Sequence, residues 1–131
     1  MTEPITNLFV PGDRPDRFGK ALSSGADRIT IDLEDAVLAD NKMAARDAIA
    51  AAALNWQNVI VRINPVETVH LEFDMSLLRS VPVRMVTVPK AESSDMISRV
   101  DRSLDKKCAL LPQIETVKSL FALKDILHAE R

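Results

Sequence analysis

The chain has 131 residues, 47% of them hydrophobic and 27% charged, with a formal net charge of −2. This composition is that of one globular domain, and the absence of a basic stripe argues against nucleic acid as a partner. No apolar run approaches the roughly 20 residues that a membrane-spanning helix needs, and the N-terminus does not resemble a signal peptide. Cys108 is alone, so no internal disulfide is possible. We therefore expect a soluble, cytoplasmic domain that binds neither nucleic acid nor a membrane.

Short β-branched runs alternate with helical stretches along the chain. The runs that predict strands are residues 8–10, 29–33, 59–63, 85–88 and 109–114. Helices are predicted between these strands and after the last one. Three of them are expected at residues 18–22, 74–78 and 117–127. A fourth is expected at 41–54, with Asp40 as its N-cap, and a fifth begins after Ser93 or Ser94 as its N-cap. Gly25 takes the place of a C-cap glycine after the first helix. The alternation predicts an α/β fold with a parallel sheet built from βαβ units.

Ionisable side chains fall at the ends of predicted strands two to five, namely Asp32, Glu34, Arg62, Lys90 and Glu115. Alternation along the fourth strand places Lys90 on the same face as Val86 and Val88. Barrels and open α/β sheets both bind ligands at the carboxyl ends of their strands, so this pattern predicts a site in either architecture. Solvated strand ends would give the same pattern. Carboxylates that hold a divalent cation, together with an arginine, suit the stabilisation of an enolate.

Six segments, in order, resemble the citrate lyase β-subunit-like family of the aldolase/citrate lyase superfamily, to which the malyl-CoA lyases are related. They are LFVPGDRPDRF at 8–18, IDLEDAV at 31–37, Lys42 with Ala45 and Arg46, VRIN at 61–64, VPK at 88–90 with Glu92, and PQIET at 112–116. The resemblance covers about residues 6–128. It implies a (β/α)8 barrel, commonly a homotrimer, with parallel strands one to five present here.

The resemblance also implies a function, a Mg²⁺-dependent carbon–carbon lyase that acts on an acyl-CoA or acyl-carrier thioester. Arg62, in the third-strand motif, is expected to contact the substrate. Glu115, in the PQIET motif, is expected to bind Mg²⁺ and contact the substrate. Glu34, Asp35 and Lys90 are expected to support the site, the first two by holding the metal's water shell or by orienting Arg62.

The sequence is shorter than a complete member of this family, because it contains five of the eight barrel strands. The aspartate that the resemblance implies after strand six, as a second metal ligand, therefore has no counterpart here. We therefore expect residues 1–131 to form one truncated barrel domain that either self-associates to cover its open edges or is part of a longer chain. Two alternatives stay open. One is a non-catalytic half-barrel remnant or interaction module. The other is a self-contained, open five-stranded binding domain with strand order 2-1-3-4-5. We predict the sequential order 1-2-3-4-5.

Overall fold

A computed structural model describes residues 4–105 and 107–129 of the chain. Five strands form one parallel sheet, and they are β1 (Asn7–Pro11), β2 (Arg28–Asp32), β3 (Val59–Arg62), β4 (Met85–Val88) and β5 (Ala109–Pro112). Their order in space is β1-β2-β3-β4-β5. The predicted sequential order is confirmed, and the 2-1-3-4-5 order of a doubly wound sheet is excluded. The sheet is thus part of a (β/α)8 barrel that the described strands do not close.

Helices connect the strands and follow the last one. They are α1 (Phe18–Leu22), α2 (Lys42–Ala51), α3 (Leu71–Ser80), α4 (Ser94–Leu104), α5 (Val117–Phe121) and α6 (Leu123–Leu127), with 3-10 turns at Pro15–Arg17, Ala39–Asn41 and Trp56–Asn58. Ser93 is the N-cap of α4, where its side chain accepts the amide hydrogen of Met96. In the described part of the chain, no helix combines the length and hydropathy needed to cross a membrane.

Several helix boundaries differ from those predicted. Asp40 is not an N-cap, because it lies inside a 3-10 turn and α2 begins two residues later. Gly25 is not the C-cap of α1, which is Ser23; it lies two residues beyond, where its φ of 87° turns the chain towards β2. The third helix is longer than predicted. The last predicted helix is divided at Ala122 into α5 and α6.

The core lies between the sheet and the helices that cover its outer face. The outward side chains of the central strands are fully buried, among them Ile31, Val61 and Val86, each 0% exposed. Burying such a side chain stabilises the fold by roughly 1.5–3 kcal/mol. Trp56 packs into this core. The sheet's inner face carries polar side chains along its length, with Asn7 bonded to Thr30 near the amino ends of β1 and β2 and with Asp32 and Arg62 at the carboxyl ends of β2 and β3.

Gly12 allows the loop after β1 to contact the end of β2. Its amide donates to the Asp32 carbonyl oxygen at 2.8 Å. A Cβ at this position would lie 2.8 Å from the same oxygen, closer than real Cβ contacts allow. The absence of a side chain at Gly12 therefore permits the backbone approach that brings β1 and its loop to the candidate site.

Candidate active site

The candidate site lies where the carboxyl ends of the parallel strands meet. Asp32 is the last residue of β2 and Arg62 is the last residue of β3, and the two are paired in register. Paired residues on neighbouring parallel strands present their side chains on the same face. The strand ends therefore place an acidic and a basic side chain next to each other, at the rim where α/β barrels bind their substrates.

Asp32 holds the guanidinium of Arg62 with two hydrogen bonds. Nε donates to Oδ1 at 2.7 Å and Nη2 donates to Oδ2 at 2.6 Å, which is the bidentate geometry of strong arginine–carboxylate pairs. Asp32 also accepts the amide hydrogens of Glu34 and Ala36, at 2.9 and 3.0 Å. The side chains of Asp32 and Arg62 are 1% and 11% exposed. This buried pair fixes the direction in which the remaining N–H groups of Arg62 point.

The surroundings of the pair determine its charge. Burial alone would raise the pKa of Asp32, but the hydrogen bonds from Arg62 and from the two backbone amides outweigh burial and hold the pKa below its ordinary value of 3.8. The hydrogen bond to Asp32 in turn raises the pKa of Arg62. Both groups are therefore ionised at neutral pH.

Glu34 lies between two cations. Its Oε1 accepts a hydrogen bond from Nζ of Lys90 at 2.8 Å, and its Oε2 is 3.2 Å from Nη1 of Arg62. The second contact is an ion pair without hydrogen-bond geometry, so the buried Oε2 has no hydrogen-bond donor in the described structure. Burial raises the pKa of Glu34, and the two cations offset this rise only in part. Asp35 is exposed, with Oδ1 4.0 Å from Nζ of Lys90.

Glu115 approaches this cluster from the loop that follows β5. Its Oε1 accepts the backbone amide hydrogen of Lys90 at 2.9 Å, and the side chain is exposed. Contacts thus run from Arg62 to Glu34, from Glu34 to Lys90, and from Lys90 to Glu115. The structure brings the predicted site residues together in this chain of contacts, with Asp35 at its side. Their roles stay predictions.

Lys90 reaches the site by a route that strand alternation does not predict. Val86 and Val88 are 0% exposed on the helix-covered face of the sheet, so a continued strand would direct Lys90 away from Glu34. Instead, β4 ends at Val88 and Lys90 has a φ of 46°. The prediction that Lys90 shares the face of the two valines is wrong, because this left-handed turn brings its side chain to the inner face.

Phe9 covers one face of the Arg62 guanidinium. Its ring centroid lies 4.9 Å from Cζ of Arg62, within the range of a cation–π contact, and the residue is 45% exposed. Phe9 is not among the site residues predicted from sequence. Alternation along β1 could have done so, because the register pairs Phe9 with Thr30 and Pro11 with Asp32, on the inner face.

Lys42 supports the loop after β2 from the first turn of α2. Its buried Nζ donates to the carbonyl oxygens of Leu33 and Glu34, at 2.6 and 2.9 Å. Burial lowers the pKa of Lys42. Lys42 belongs to a motif that resembles the family, but no role for it was predicted from sequence. In the structure it fixes the backbone from which Glu34 projects.

Arg46 and Asp74 support the loop after β3. Nε of Arg46 donates to Oδ1 of Asp74 at 2.8 Å. Oδ2 of Asp74 accepts from the backbone amide and the side-chain Nδ2 of Asn64, at 2.7 and 2.9 Å. The side chains of Arg46 and Asp74 are 7% and 0% exposed. Because Asn64 is two residues beyond Arg62, this buried cluster fixes the chain immediately after the site arginine.

The donors around Glu115 fit a hard cation only in part. Oε1 of Glu115 is engaged by the Lys90 amide, which leaves the second carboxylate oxygen for a ligand. Mg²⁺ prefers six oxygen ligands and commonly keeps several waters. Among the described residues, no group of three or more histidine, cysteine, aspartate or glutamate side chains could hold a metal ion. Glu115 thus fits the role of one protein ligand in a shell completed by waters and other oxygens.

Comparisons with known proteins identify the family of this chain. The sequence profile described as HpcH/HpaI aldolase/citrate lyase matches residues 6–131. The chain belongs to the HpcH/HpaI aldolase/citrate lyase family. It is 34% identical over 131 residues to a citrate lyase subunit beta-like protein of Mycobacterium tuberculosis, covering 92% of this chain and 48% of that protein. It is 37% identical over 118 residues to the L-malyl-CoA/beta-methylmalyl-CoA lyase of Rhodobacter capsulatus, covering 85% of this chain and 35% of that lyase.

Solved structures of this family share the fold. The citrate lyase beta subunit of M. tuberculosis, in complex with oxaloacetate and magnesium, matches with a TM-score of 0.84 at 33% identity, over 95% of this chain and 53% of that one. The M. tuberculosis protein CitE, in complex with magnesium, acetoacetate and coenzyme A, matches with a TM-score of 0.86 at 31% identity, over 97% and 46%. The chain therefore spans about half the length of these family members.

Proposed function

We propose that this chain forms the arginine and glutamate side of the active site of a Mg²⁺-dependent carbon–carbon lyase for acyl thioesters. The observation that carries the proposal is the buried Asp32–Arg62 pair, linked through Glu34 and Lys90 to Glu115 at the carboxyl ends of the strands. Family members named citrate lyase beta subunit and malyl-CoA lyase, and structures with bound magnesium, oxaloacetate or coenzyme A, support it.

In this proposal Arg62 binds the oxo-acid half of the substrate. Asp32 engages Nε and one hydrogen of Nη2, so the remaining N–H groups can donate to a carboxylate or to an oxygen that gains charge as the carbon–carbon bond breaks. Phe9 covers one face of the guanidinium and leaves its edge as the binding surface. Because burial and the ion pair preorganise Arg62, little reorganisation is needed when a substrate binds.

Glu115 is the proposed protein ligand for Mg²⁺. When bound, the ion would polarise a carbonyl oxygen of the oxo-acid half. The Lys90 amide orients the Glu115 carboxylate, and Glu34 and Asp35 place further negative charge nearby.

A cationic cavity beside Phe9 supports the thioester part of the proposal. It has a volume of about 420 Å³, and its lining includes Phe9, Arg14, Arg17 and Lys20. Arg14 is paired with Asp16 at 3.0 Å, so Arg17 and Lys20 are the proposed contacts for the phosphates of a coenzyme A or acyl-carrier group. Because Phe9 also touches Arg62, such a carrier would lie next to the oxo-acid site.

The proposal is tested by incubating the protein with malyl-CoA or citryl-CoA, with Mg²⁺ or with EDTA, and following release of the oxo acid and the shorter acyl-CoA. We expect cleavage that requires Mg²⁺ and falls by about 10²-fold or more in Arg62→Ala. Arg102→Ala, on an arginine of α4 that is 70% exposed, is the control and should retain wild-type activity. Cleavage that is independent of Mg²⁺, or equal in both variants, contradicts the proposed roles.

A second candidate function is a non-catalytic half-barrel or interaction module. It is favoured by the lack of a three-ligand metal cluster among the described residues. Absence of any cleavage by the wild-type protein, together with retained folding, would favour this candidate.

We also propose that the protein self-associates, because β1 and β5 each have one unpaired edge in the described sheet. The family resemblance suggests a homotrimer. The proposed location is the cytoplasm, because the chain's single cysteine can form no internal disulfide.

A further inference from the structure

Lys90 has a backbone conformation that is unfavourable for lysine. Its φ is 46°, and the other described non-glycine residue with a positive φ is Asp105, at 52°, the C-cap of α4. Residues other than glycine, asparagine and aspartate seldom adopt this left-handed region. Such a conformation persists where the surrounding structure imposes it, and it often occurs at functional sites.

The neighbouring strand imposes this conformation. The amide of Gln113 donates to the carbonyl oxygen of Val88 at 2.8 Å, and its carbonyl accepts from the amide of Ala91 at 3.2 Å. One residue of the β5 segment thus binds the backbone on both sides of Pro89 and Lys90. Those two residues must leave the strand pairing, and Pro89 has its φ fixed by its own ring.

The turn directs two donors of Lys90 to two carboxylates. The backbone amide donates to Oε1 of Glu115 at 2.9 Å, and Nζ donates to Oε1 of Glu34 at 2.8 Å. Gln113 lies two residues before Glu115, so the same segment fixes both the turn and the acceptor. Because Glu34 also contacts Arg62, Lys90 links the glutamate side of the site to the arginine side.

We propose that Lys90 is a positioning residue that sets the placement of Glu115 relative to Arg62. Its amide holds one oxygen of the Glu115 carboxylate and leaves the other for a cation. Its ammonium holds Glu34 against the guanidinium of Arg62. This inference rests on the proposed function, which makes Arg62 and Glu115 the binding groups, but its geometry can be tested without metal or substrate.

Amide hydrogen exchange, measured by NMR, tests the backbone contact. The Lys90 amide should be protected in the wild-type protein and should exchange at least about tenfold faster in Glu115→Ala. Glu115→Gln keeps an oxygen acceptor and should stay within about threefold of wild type. Unchanged exchange in Glu115→Ala, or equal acceleration in both variants, overturns the proposal.

The Arg62 Nε–H resonance tests the side-chain contact. Lys90→Gly keeps the amide and suits the left-handed turn but removes the ammonium, so the resonance should shift. Lys90→Arg, which restores a cation, should move it back towards the wild-type position. Asp105→Gly, which places glycine at the other left-handed residue, should leave it unchanged. A resonance that does not respond to Lys90→Gly overturns the proposal. If the protein shows no lyase activity but both NMR experiments give the expected results, the proposed function is refuted and the positioning role of Lys90 stands.

Discussion

The guanidinium of Arg62 is held on three sides. Asp32 engages Nε and Nη2, Glu34 lies 3.2 Å from Nη1, and Phe9 covers one face. An arginine that is fixed in this way can discriminate a planar carboxylate from other anions, because its remaining donors have a defined direction. The specificity proposed for this site would therefore depend also on Asp32, Glu34 and Phe9, which position Arg62.

Asp32→Asn should destabilise the protein strongly. Asp32 is 0% exposed, and the substitution would remove the negative charge that pairs with Nε and Nη2 of Arg62 and leave Glu34 as its remaining anionic neighbour. We expect the free energy of unfolding, measured in urea, to fall by about 3 kcal/mol. Asp16→Asn is the control. It breaks the ion pair between Asp16 and Arg14, whose side chains are 57% and 45% exposed respectively, and should leave the free energy of unfolding unchanged within error. Equal effects of the two substitutions would show that the Asp32–Arg62 pair is not a buried constraint.

The two carboxyl groups at the end of β2 should affect stability in opposite directions as pH changes. The pKa of Asp32 is lowered, so its contribution is present above 3.8 and is lost as the pH falls through the folded-state value. The pKa of Glu34 is raised above 4.5, so its ionisation reduces stability as the pH rises through the window above 4.5. Glu34→Gln should therefore flatten the decline in stability that the wild-type protein shows as the pH rises from 4.5 through the folded-state pKa of Glu34.

Urea midpoints measured from about pH 2 to about pH 8 test this opposition. In Asp32→Asn, the loss of stability in acid should become shallower than in the wild-type protein. A pH profile that neither substitution alters would contradict the environments assigned to the two carboxyl groups.

At the scale of elements, α2 and α3 determine where the loops after β2 and β3 lie. Asp74 on α3 accepts from Arg46 on α2 and from Asn64 after β3, so one carboxylate joins three segments. Asp74→Ala should lower the free energy of unfolding by about 3–5 kcal/mol, because Arg46 and Asn64 would stay buried without their acceptor. Asp74→Asn, which keeps an oxygen for Asn64, should cost less. A loss below about 1 kcal/mol in the alanine variant, measured in urea, would contradict this role.

The elements themselves were largely predictable from sequence, because β-branched runs and the ionisable residues at their ends are local patterns. The turn at Lys90 was not, since it depends on Gln113, which is distant in sequence and directly follows β5. The division of the last helix was not predicted either. In α6, the Asp125 carboxylate accepts hydrogen bonds from the backbone amide and the hydroxyl of Ser94, the first residue of α4. Ile126, the next residue, is buried in the core. These contacts hold α6 separately from α5. Periodicity within one segment carries no signal for such contacts.

At the scale of the whole molecule, the sheet order confirms the partial barrel, and the chain covers 48% of its M. tuberculosis relative. The outer strands have unpaired edges in the described sheet, and several apolar side chains of α5 are exposed, among them Val117, Leu120 and Phe121. We expect sedimentation velocity to show association that increases with protein concentration. A clean monomer at all concentrations, with cooperative unfolding, would contradict self-association.

The most direct test of the proposed site is calorimetric titration of Mg²⁺ into the protein in the presence of oxaloacetate, a ligand bound with magnesium in the M. tuberculosis citrate lyase beta subunit. We predict saturable binding that weakens by at least about tenfold in Glu115→Gln, since that substitution removes the charge but keeps the shape of the side chain. Binding of equal strength in the two proteins, or no binding to the wild-type chain, would contradict the assignment of Glu115 as the metal ligand.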